Sequence, residues 1–431
     1  VPGPVRAAID SRTIATGELF VGLAGSREDG GAHAAEALAR GAWGVLVSPA
    51  HAATLARRGG AGSHGAILSH EDPLVGLQAL ARAWREQLGA RVVAITGSTG
   101  KTSTRDILVA LLRGRARLSA SPQNFNTEIG VPLAILGAPA ATEVLVLELA
   151  MRGAGQIAEL TALCAPDVGV ISNIGPVHLE LLGSLENVAA AKAELIAGLD
   201  RAAGLVVPAG EPLLAGHLRA DLRTLTFGSG GDVELLGFQP GGEAIVRSGE
   251  RVLSLRPSFS AAHNLRNLLA TVAVAELLGL EPAGEVDVRF SPLRGERIAL
   301  PGGVTLINDC YNANPMSMRA ALEDLALSAS GRRVAVLGDM RELGGEGEAL
   351  HRALAGDVAA AGVELLVTVG ESAALIGEGL SCEVRSVARA QDAVAILREA
   401  LRSGDTVLVK GSRAVALESV AESLQTVPES V

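Results

Sequence analysis

The stretch Val92-Val93-Ala94-Ile95-Thr96-Gly97-Ser98-Thr99-Gly100-Lys101-Thr102 decides the fold. Its first four residues are apolar and mostly β-branched, as in a strand buried on both faces. A glycine-bearing turn comes next. Ile107, Leu108, Leu111 and Leu112 then recur at helical spacing. Strand, glycine-rich turn and helix N-terminus form the context of a phosphate-binding loop. Gly97 and Gly100 let backbone N–H groups turn inward around phosphate oxygens, while Ser98 and Thr99 fill the turn between them. The helix dipole adds a potential that favours anions. Lys101 is placed to reach terminal phosphates, and the Thr102 hydroxyl to ligate Mg²⁺. One position departs from the general pattern: Ile95 stands where a first glycine is usual. A GxGxxG dinucleotide fingerprint is absent here. These residues alone imply an α/β protein that uses ATP or GTP.

The same alternation runs outward along the chain. Apolar runs at Val144–Leu149, Val168–Ile174, Val304–Ile307, Val334–Leu337, Leu365–Val369 and Val407–Val409 read as buried parallel strands between helices. At 431 residues the chain exceeds one core and should form two or three domains. A helical pattern over Leu74–Leu88 stops at Gly89, and a polar stretch over Glu281–Arg297 breaks the pattern again. The breaks divide the chain into 1–88, 89–291 and 292–431. Gly228–Gly231 and Pro240–Gly242 read as hairpin turns of a β-rich insertion. Aromatic residues are only 2% of the chain against 48% apolar, so Ala, Val and Leu must build the cores.

The formal net charge of −10 disfavours nucleic acid as a partner. Phosphate ligands would then be held by backbone amides, a few basic groups and metal ions. Cys164, Cys310 and Cys382 have no metal-site spacing and read as reduced thiols. The opening residues lack a signal-peptide pattern, and no apolar run reaches the ~18 residues of a membrane span. A cytoplasmic protein is expected.

Three more residues carry chemistry. Glu148 ends the apolar run from Val144, at the carboxyl end of a strand, where open α/β sheets bind ligands. Beside a phosphate loop it would hold Mg²⁺ directly or through water. His178 comes after another strand. Lys192 falls on the apolar stripe of Val188, Leu195, Ile196 and Leu199. A buried ammonium is costly. Lys192 must therefore extend to solvent or have a functional partner.

The run Ile95–Thr102 resembles the phosphate loop of the Mur ligases, which build the peptidoglycan stem peptide and whose loop also lacks the first glycine. Further resemblances occur in family order. They are Asp10-Ser11-Arg12, the run Asn124–Pro132, Asn173-Ile174-Gly175 leading to His178, Ala191–Leu195 and His263–Asn267. Asp309–Pro315, Gly338–Gly344 and Lys410–Arg413 resemble the branch that adds D-alanyl-D-alanine. The alternatives are the branch adding the third stem residue, a folylpolyglutamate synthetase-like ligase, or an inactive nucleotide-binding homologue.

The resemblance implies three domains. A small α/β N-terminal domain would bind the UDP substrate, a central P-loop-type parallel-sheet domain ATP, and a Rossmann-like C-terminal domain would complete the ligase. It implies ATP, two Mg²⁺ ions, UDP-MurNAc-tripeptide and D-Ala-D-Ala as ligands, and a monomer. Catalysis is implied for Lys101, Glu148, His178 and Lys192, with Lys192 carbamoylated. Metal contacts are implied for Thr102, Glu148, His178 and Lys192. Nucleotide contacts are implied for Gly97, Ser98, Thr99, Gly100, Lys101, Thr102, Asn264, Asn267 and Asp309, together with an arginine that either Arg294 or Arg297 could supply; Arg294 is preferred from its distance to Asp309. Substrate contacts are implied for Ser11 and Arg12 (UDP), for Asn124, Asn126, Thr127 and Glu128 (muramoyl peptide), and for Tyr311, Asn312, Asn314 and Ser412 (dipeptide). The family usually has a longer lead before Asp10, so the edge of the first domain is expected to be incomplete.

Overall fold

The structure is a computed structural model describing residues 3–26, 28–58, 65–282 and 284–426. Three sheets succeed one another along the chain. The first holds β1 (Ala7–Ala8), β2 (Leu19–Val21), β3 (Gly44–Val47) and β4 (Ala66–Ser69), all parallel and in that order. Helix Pro73–Leu88 comes after β4. Asp72 caps it by accepting from Leu74 N at 2.8 Å, and Gly89 ends it at φ 59°. Its Leu77 packs with Leu46 of the first sheet and its Ala81 joins the central core. Trp84 Nε1 and Arg85 also bond to central carbonyls. The helix thus fastens the first sheet to the central domain.

The second sheet holds β5 (Arg91–Thr96), β6 (Leu118–Ala120), β7 (Val144–Glu148), β8 (Val168–Ile171), β9 (Gly204–Pro208), β10 (Arg223–Phe227), β11 (Val233–Phe238), β12 (Ala244–Ser248), β13 (Arg251–Pro257) and β14 (Glu285–Val286). Its spatial order is β14-β13-β12-β11-β10-β9-β8-β5-β7-β6. Strand alternation explains its two faces. Val93 and Ile95 pack under helices Lys101–Leu111 and Ala262–Leu278. Val92 and Ala94 pack on helices Gly130–Leu136, Gln156–Cys164 and Leu185–Gly198. β5 lies between β7 and β8, so the winding reverses there and opens a crevice at the carboxyl ends of all three.

Two expectations are corrected here. β8 ends at Ile171, not Ile174: after Ser172 N donates to Thr96 O of β5 at 2.9 Å, the chain turns to brace the phosphate loop, where Ser98 N donates to Asn173 O at 3.1 Å. Gly228–Gly231 is not a hairpin turn, since β10 and β11 are parallel. Asp232 closes that turn by accepting from Thr226 N and Oγ1 at 2.8 and 2.7 Å, and the chain leaves it in its original direction. Residues 240–242 do form the β11–β12 hairpin turn, with Gly242 at φ 79°.

The third sheet has β15 (Glu296–Leu300), β16 (Val304–Asn308), β17 (Arg333–Gly338), β18 (Leu365–Val369), β19 (Glu383–Val387) and β20 (Thr406–Lys410), in the order β15-β16-β20-β17-β18-β19. Only β15 is antiparallel to its neighbour. Helices Pro315–Ser328 and Gly347–Ala360 cover one face, and Ala390–Ala400 and Glu418–Gln425 the other. This is the doubly wound arrangement expected of a Rossmann-like unit.

Candidate active site

The phosphate loop is shaped by what glycine alone permits. Gly97 stands at φ 146°, and a Cβ there would lie 1.9 Å from Ser172 Oγ; Gly100 stands at φ 78°, 2.9 Å from Asn267 Oδ1 by the same measure. The loop is held from the β8 side. Asn173 Oδ1 accepts from Thr99 N at 2.9 Å and its Nδ2 donates to Thr99 Oγ1 at 2.8 Å. Ser98 Oγ accepts from Gly175 N at 2.9 Å and donates to Gly175 O at 3.0 Å. Lys101 Nζ donates to Gly97 O at 2.6 Å, so the ammonium lies across its own loop. Burial lowers the Lys101 pKa to about 8, opposed by Glu148 and reinforced by Arg294.

Glu148 is buried at the end of β7. Thr102 Oγ1 donates to its Oε2 at 3.0 Å, and Arg105 Nη1 pairs with its Oε1 at 2.8 Å. Arg105 is itself buried and also bonds Asp106, Ser121 O and Ser291 Oγ. Lys192 is 2% exposed on helix Leu185–Gly198. It makes no hydrogen bond or ion pair among the described residues. Burial, with the charge of Lys101 adding, holds its pKa well below 10.5. His178 stands at φ 55°. Its Nδ1 meets Glu342 Oε2 at 2.5 Å, across from the third sheet. Burial lowers the His178 pKa, against the pull of Glu342.

The donors fit Mg²⁺ in part. Thr102 and Glu148 present adjoining oxygens, the donor type a hard cation takes. Around His178, however, no three His, Cys, Asp or Glu side chains are grouped for a metal among the described residues. A further anionic ligand would complete that set. Lys192 is buried without a partner, near enough for its charge to act on His178.

The third sheet supplies the opposite wall. The guanidinium of Arg294 lies 3.9 Å over the ring centroid of Tyr311. The Tyr311 hydroxyl donates to Asn124 Oδ1 on the central domain. Lys410 Nζ pairs with Asp309 Oδ2 at 2.6 Å and donates to Asn312 O at 2.9 Å. Asn314 caps helix Pro315–Ser328 by accepting from Ser317 N at 3.0 Å. Arg297 pairs with Asp324 instead of reaching the loop.

A cavity of about 1130 Å³ lies between these walls. Ser98, Thr99, Gly100, Lys101, Thr102, Asn126, Thr127, Glu128, Glu148, His178, Asn264, Asn267, Arg294, Asp309, Tyr311, Asn312 and Asn314 all line it. Gly97, Asn124 and Lys192 stand outside that lining. Asn124 is tied to it through Tyr311, and Lys192 through the charge of Lys101. Ser412 is buried, its hydroxyl accepting from Arg341 N at 2.9 Å. Ser11 and Arg12 lie apart on the first sheet's side, with Arg12 held bidentate by Asp10 at 2.9 and 2.8 Å. The sequence reading gave no role to Arg105, Asn173, Glu342 or Lys410. Arg105 carried one signal: it lies four residues after Lys101, one helical turn along the same face.

The chain is similar to known proteins over nearly its whole length. The Mur ligase middle-domain model matches residues 95–275, and the Mur ligase glutamate ligase domain model matches 293–413. A UDP-N-acetylmuramoyl-tripeptide--D-alanyl-D-alanine ligase of Bacillus subtilis is 33% identical, covering 97% of this chain and 92% of its own. The crystal structure of MurF from Acinetobacter baumannii superposes with a TM-score of 0.84 at 28% identity, covering 97% of this chain and 93% of that one. MurF from Thermotoga maritima in complex with ADP gives 0.83 at 30% identity, covering 97% of each chain.

Proposed function

The chain belongs to the Mur ligase family, and from that premise we propose that it is the ligase joining D-alanyl-D-alanine to UDP-MurNAc-tripeptide at the expense of ATP in peptidoglycan precursor synthesis. The observation that carries this reading is the single cavity on which Lys101 and Glu148 of the central domain and Arg294 and Asp309 of the C-terminal domain converge. A free carboxylate is a poor acyl donor. The tripeptide carboxylate attacks the γ-phosphate, ADP leaves, and an acyl phosphate forms. The amine of D-Ala-D-Ala then adds to the acyl carbon, and phosphate leaves from the tetrahedral intermediate.

The first step brings two anions together. Lys101 leaves the Gly97 carbonyl for the phosphates, and the loop amides at the helix N-terminus hold them. Arg294, steadied by the Tyr311 ring, faces them from the other wall. Asn264 and Asn267 serve the adenine and Asp309 the ribose. Asn124, Asn126, Thr127 and Glu128 line the peptide path, Ser11 and Arg12 serve the UDP end, and Tyr311, Asn312, Asn314 and Ser412 the dipeptide end. Thr102 and Glu148 would hold one Mg²⁺; Glu148, His178 and a carbamate on Lys192 would hold a second. When bound, Mg²⁺ supplies the positive charge that lets carboxylate and phosphate approach. Lys192 reacts with CO₂ as the neutral amine, losing a proton and gaining a carboxylate. Its burial without a partner supports this. Lys192→Ala should lose activity and regain part of it with short carboxylic acids.

The same reading has the chain act as a monomer in the cytoplasm; no helix among the described residues is long and apolar enough to cross a membrane. The test is phosphate release with ATP and UDP-MurNAc-tripeptide, with and without D-Ala-D-Ala. Stimulation by the dipeptide is expected. Stimulation by a single amino acid in its place would assign the chain to another amide ligase.

A further inference from the structure

Two residues that meet across the domains beside the cavity, His178 and Glu342, are both strained. His178 stands at φ 55° and Glu342 at φ 63°, a region that non-glycine residues seldom occupy. Each tip is also fixed by backbone. Glu180 N donates to Glu342 O at 3.3 Å. Gly344, at φ 57°, lies so close that an added Cβ would come within 3.1 Å of Glu180 Cα. The side chains complete the seam: His178 Nδ1 meets Glu342 Oε2 at 2.5 Å, with Arg152 Nε 3.9 Å from the other oxygen. Engaging Nδ1 sets the ring's orientation and leaves Nε2 as the atom that can face a cation. A metal-bound histidine commonly donates its second N–H to a carboxylate in this way, which raises its basicity.

We infer that Glu342 is a positioning residue that orients His178 toward a divalent cation, so that this cation site is completed only when the C-terminal domain is docked. The inference rests on the ligase reading above. It gives the distant domain control over the first step. With the C-terminal domain swung away, His178 loses its partner, the cation is held weakly, and ATP is not spent before the dipeptide domain is in place.

The experiment uses the full chain with a nonhydrolysable ATP analogue and UDP-MurNAc-tripeptide, titrated with Mn²⁺ and monitored by electron paramagnetic resonance. Glu342→Ala should weaken Mn²⁺ binding about 10–100-fold, the usual effect of removing such a partner. Glu342→Gln, which keeps the shape and an acceptor oxygen, should give a smaller loss. Metal-free binding of the analogue should be unchanged in both. In turnover, the Mg²⁺ concentration for half-maximal rate should rise by a similar factor, with rate recovering at high Mg²⁺. Thermal unfolding confirms that each variant is folded. Wild-type Mn²⁺ affinity in folded Glu342→Ala, together with an unshifted Mg²⁺ dependence, would overturn the inference, even if activity fell. Failure of the ligase reading would look different: the wild-type chain would show no dipeptide-dependent phosphate release.

Discussion

On the proposed reading, Lys192 is where function most sharply opposes stability. It occupies a position on a helix whose neighbours Val188, Leu195 and Ile196 are wholly buried. No side chain among the described residues pairs with its amine. Replacing buried ionisable groups by apolar side chains of similar volume is often neutral or stabilising, by up to about 4 kcal/mol, and an unpartnered amine has still lost its bonds to water. Lys192→Met should therefore raise stability by about that amount in urea unfolding without CO₂ or Mg²⁺, while abolishing ligase activity. A destabilised Lys192→Met protein would mean that the amine has a structural role in the fold. This residue was also the most legible in the sequence, because a cation on an apolar stripe breaks a local rule. Glu342 was the least legible. The run Gly338–Gly344 that holds it carries a resemblance but no partner, and its relation to His178, 164 residues away, exists only in the folded chain. The roles of Arg105 and Lys410 were hidden for a related reason: a charged residue whose partners are remote gives no periodic signal of what it touches.

At the scale of the element, the phosphate loop depends on a second loop that the sequence presents as the end of a strand. The run Val168–Ile174 is apolar enough to read as one strand. In the structure β8 ends at Ile171: Ser172 N still donates to Thr96 O of β5, but the Ser172 hydroxyl and the Asn173 amide turn to Thr99 of the phosphate loop. The nucleotide loop is thus built from both β5 and β8, and Asn173 is the cross-brace. Removing its amide loses three bonds to Thr99, each worth ~0.5–1.5 kcal/mol. Asn173→Ala should weaken ADP binding about tenfold, or about 1.4 kcal/mol, as measured by calorimetry. The loss should appear in nucleotide affinity more than in the affinity for UDP-MurNAc-tripeptide. An equal loss for both ligands would place Asn173 in general stability and not in the loop. The strands themselves were readable because parallel strands buried on both faces are continuous apolar runs. The turn at Gly228–Gly231 was misread because glycine marks a turn without saying whether the chain reverses. There, Asp232 decides.

The whole molecule is organised by the contact of two walls that belong to different sheets. Tyr311 reaches Asn124, Glu342 reaches His178, and Arg294 enters the cavity from the segment joining the second sheet to the third. These contacts are polar, joined by Leu350 packing on the central core; helix Pro73–Leu88, by contrast, joins that core through Ala81, Trp84 and Leu88. Interfaces of that polar kind permit relative motion of domains. The joining segment contains its own strained point, Leu293 at φ 63°, directly before Arg294. A rigid-body rotation about this segment would carry Arg294, Tyr311 and Glu342 away together and open the cavity to substrate. Solution scattering should then show a smaller radius of gyration with an ATP analogue and UDP-MurNAc-tripeptide present than without ligand. Tyr311→Ala, which removes both the Asn124 contact and the platform under Arg294, should reduce that compaction and slow acyl-phosphate formation. Tyr311→Phe keeps the ring, so it should retain most of the rate while losing the bond to Asn124. If ligands leave the scattering curve unchanged, the walls are fixed, and the strained residues at the seam serve alignment alone and not closure.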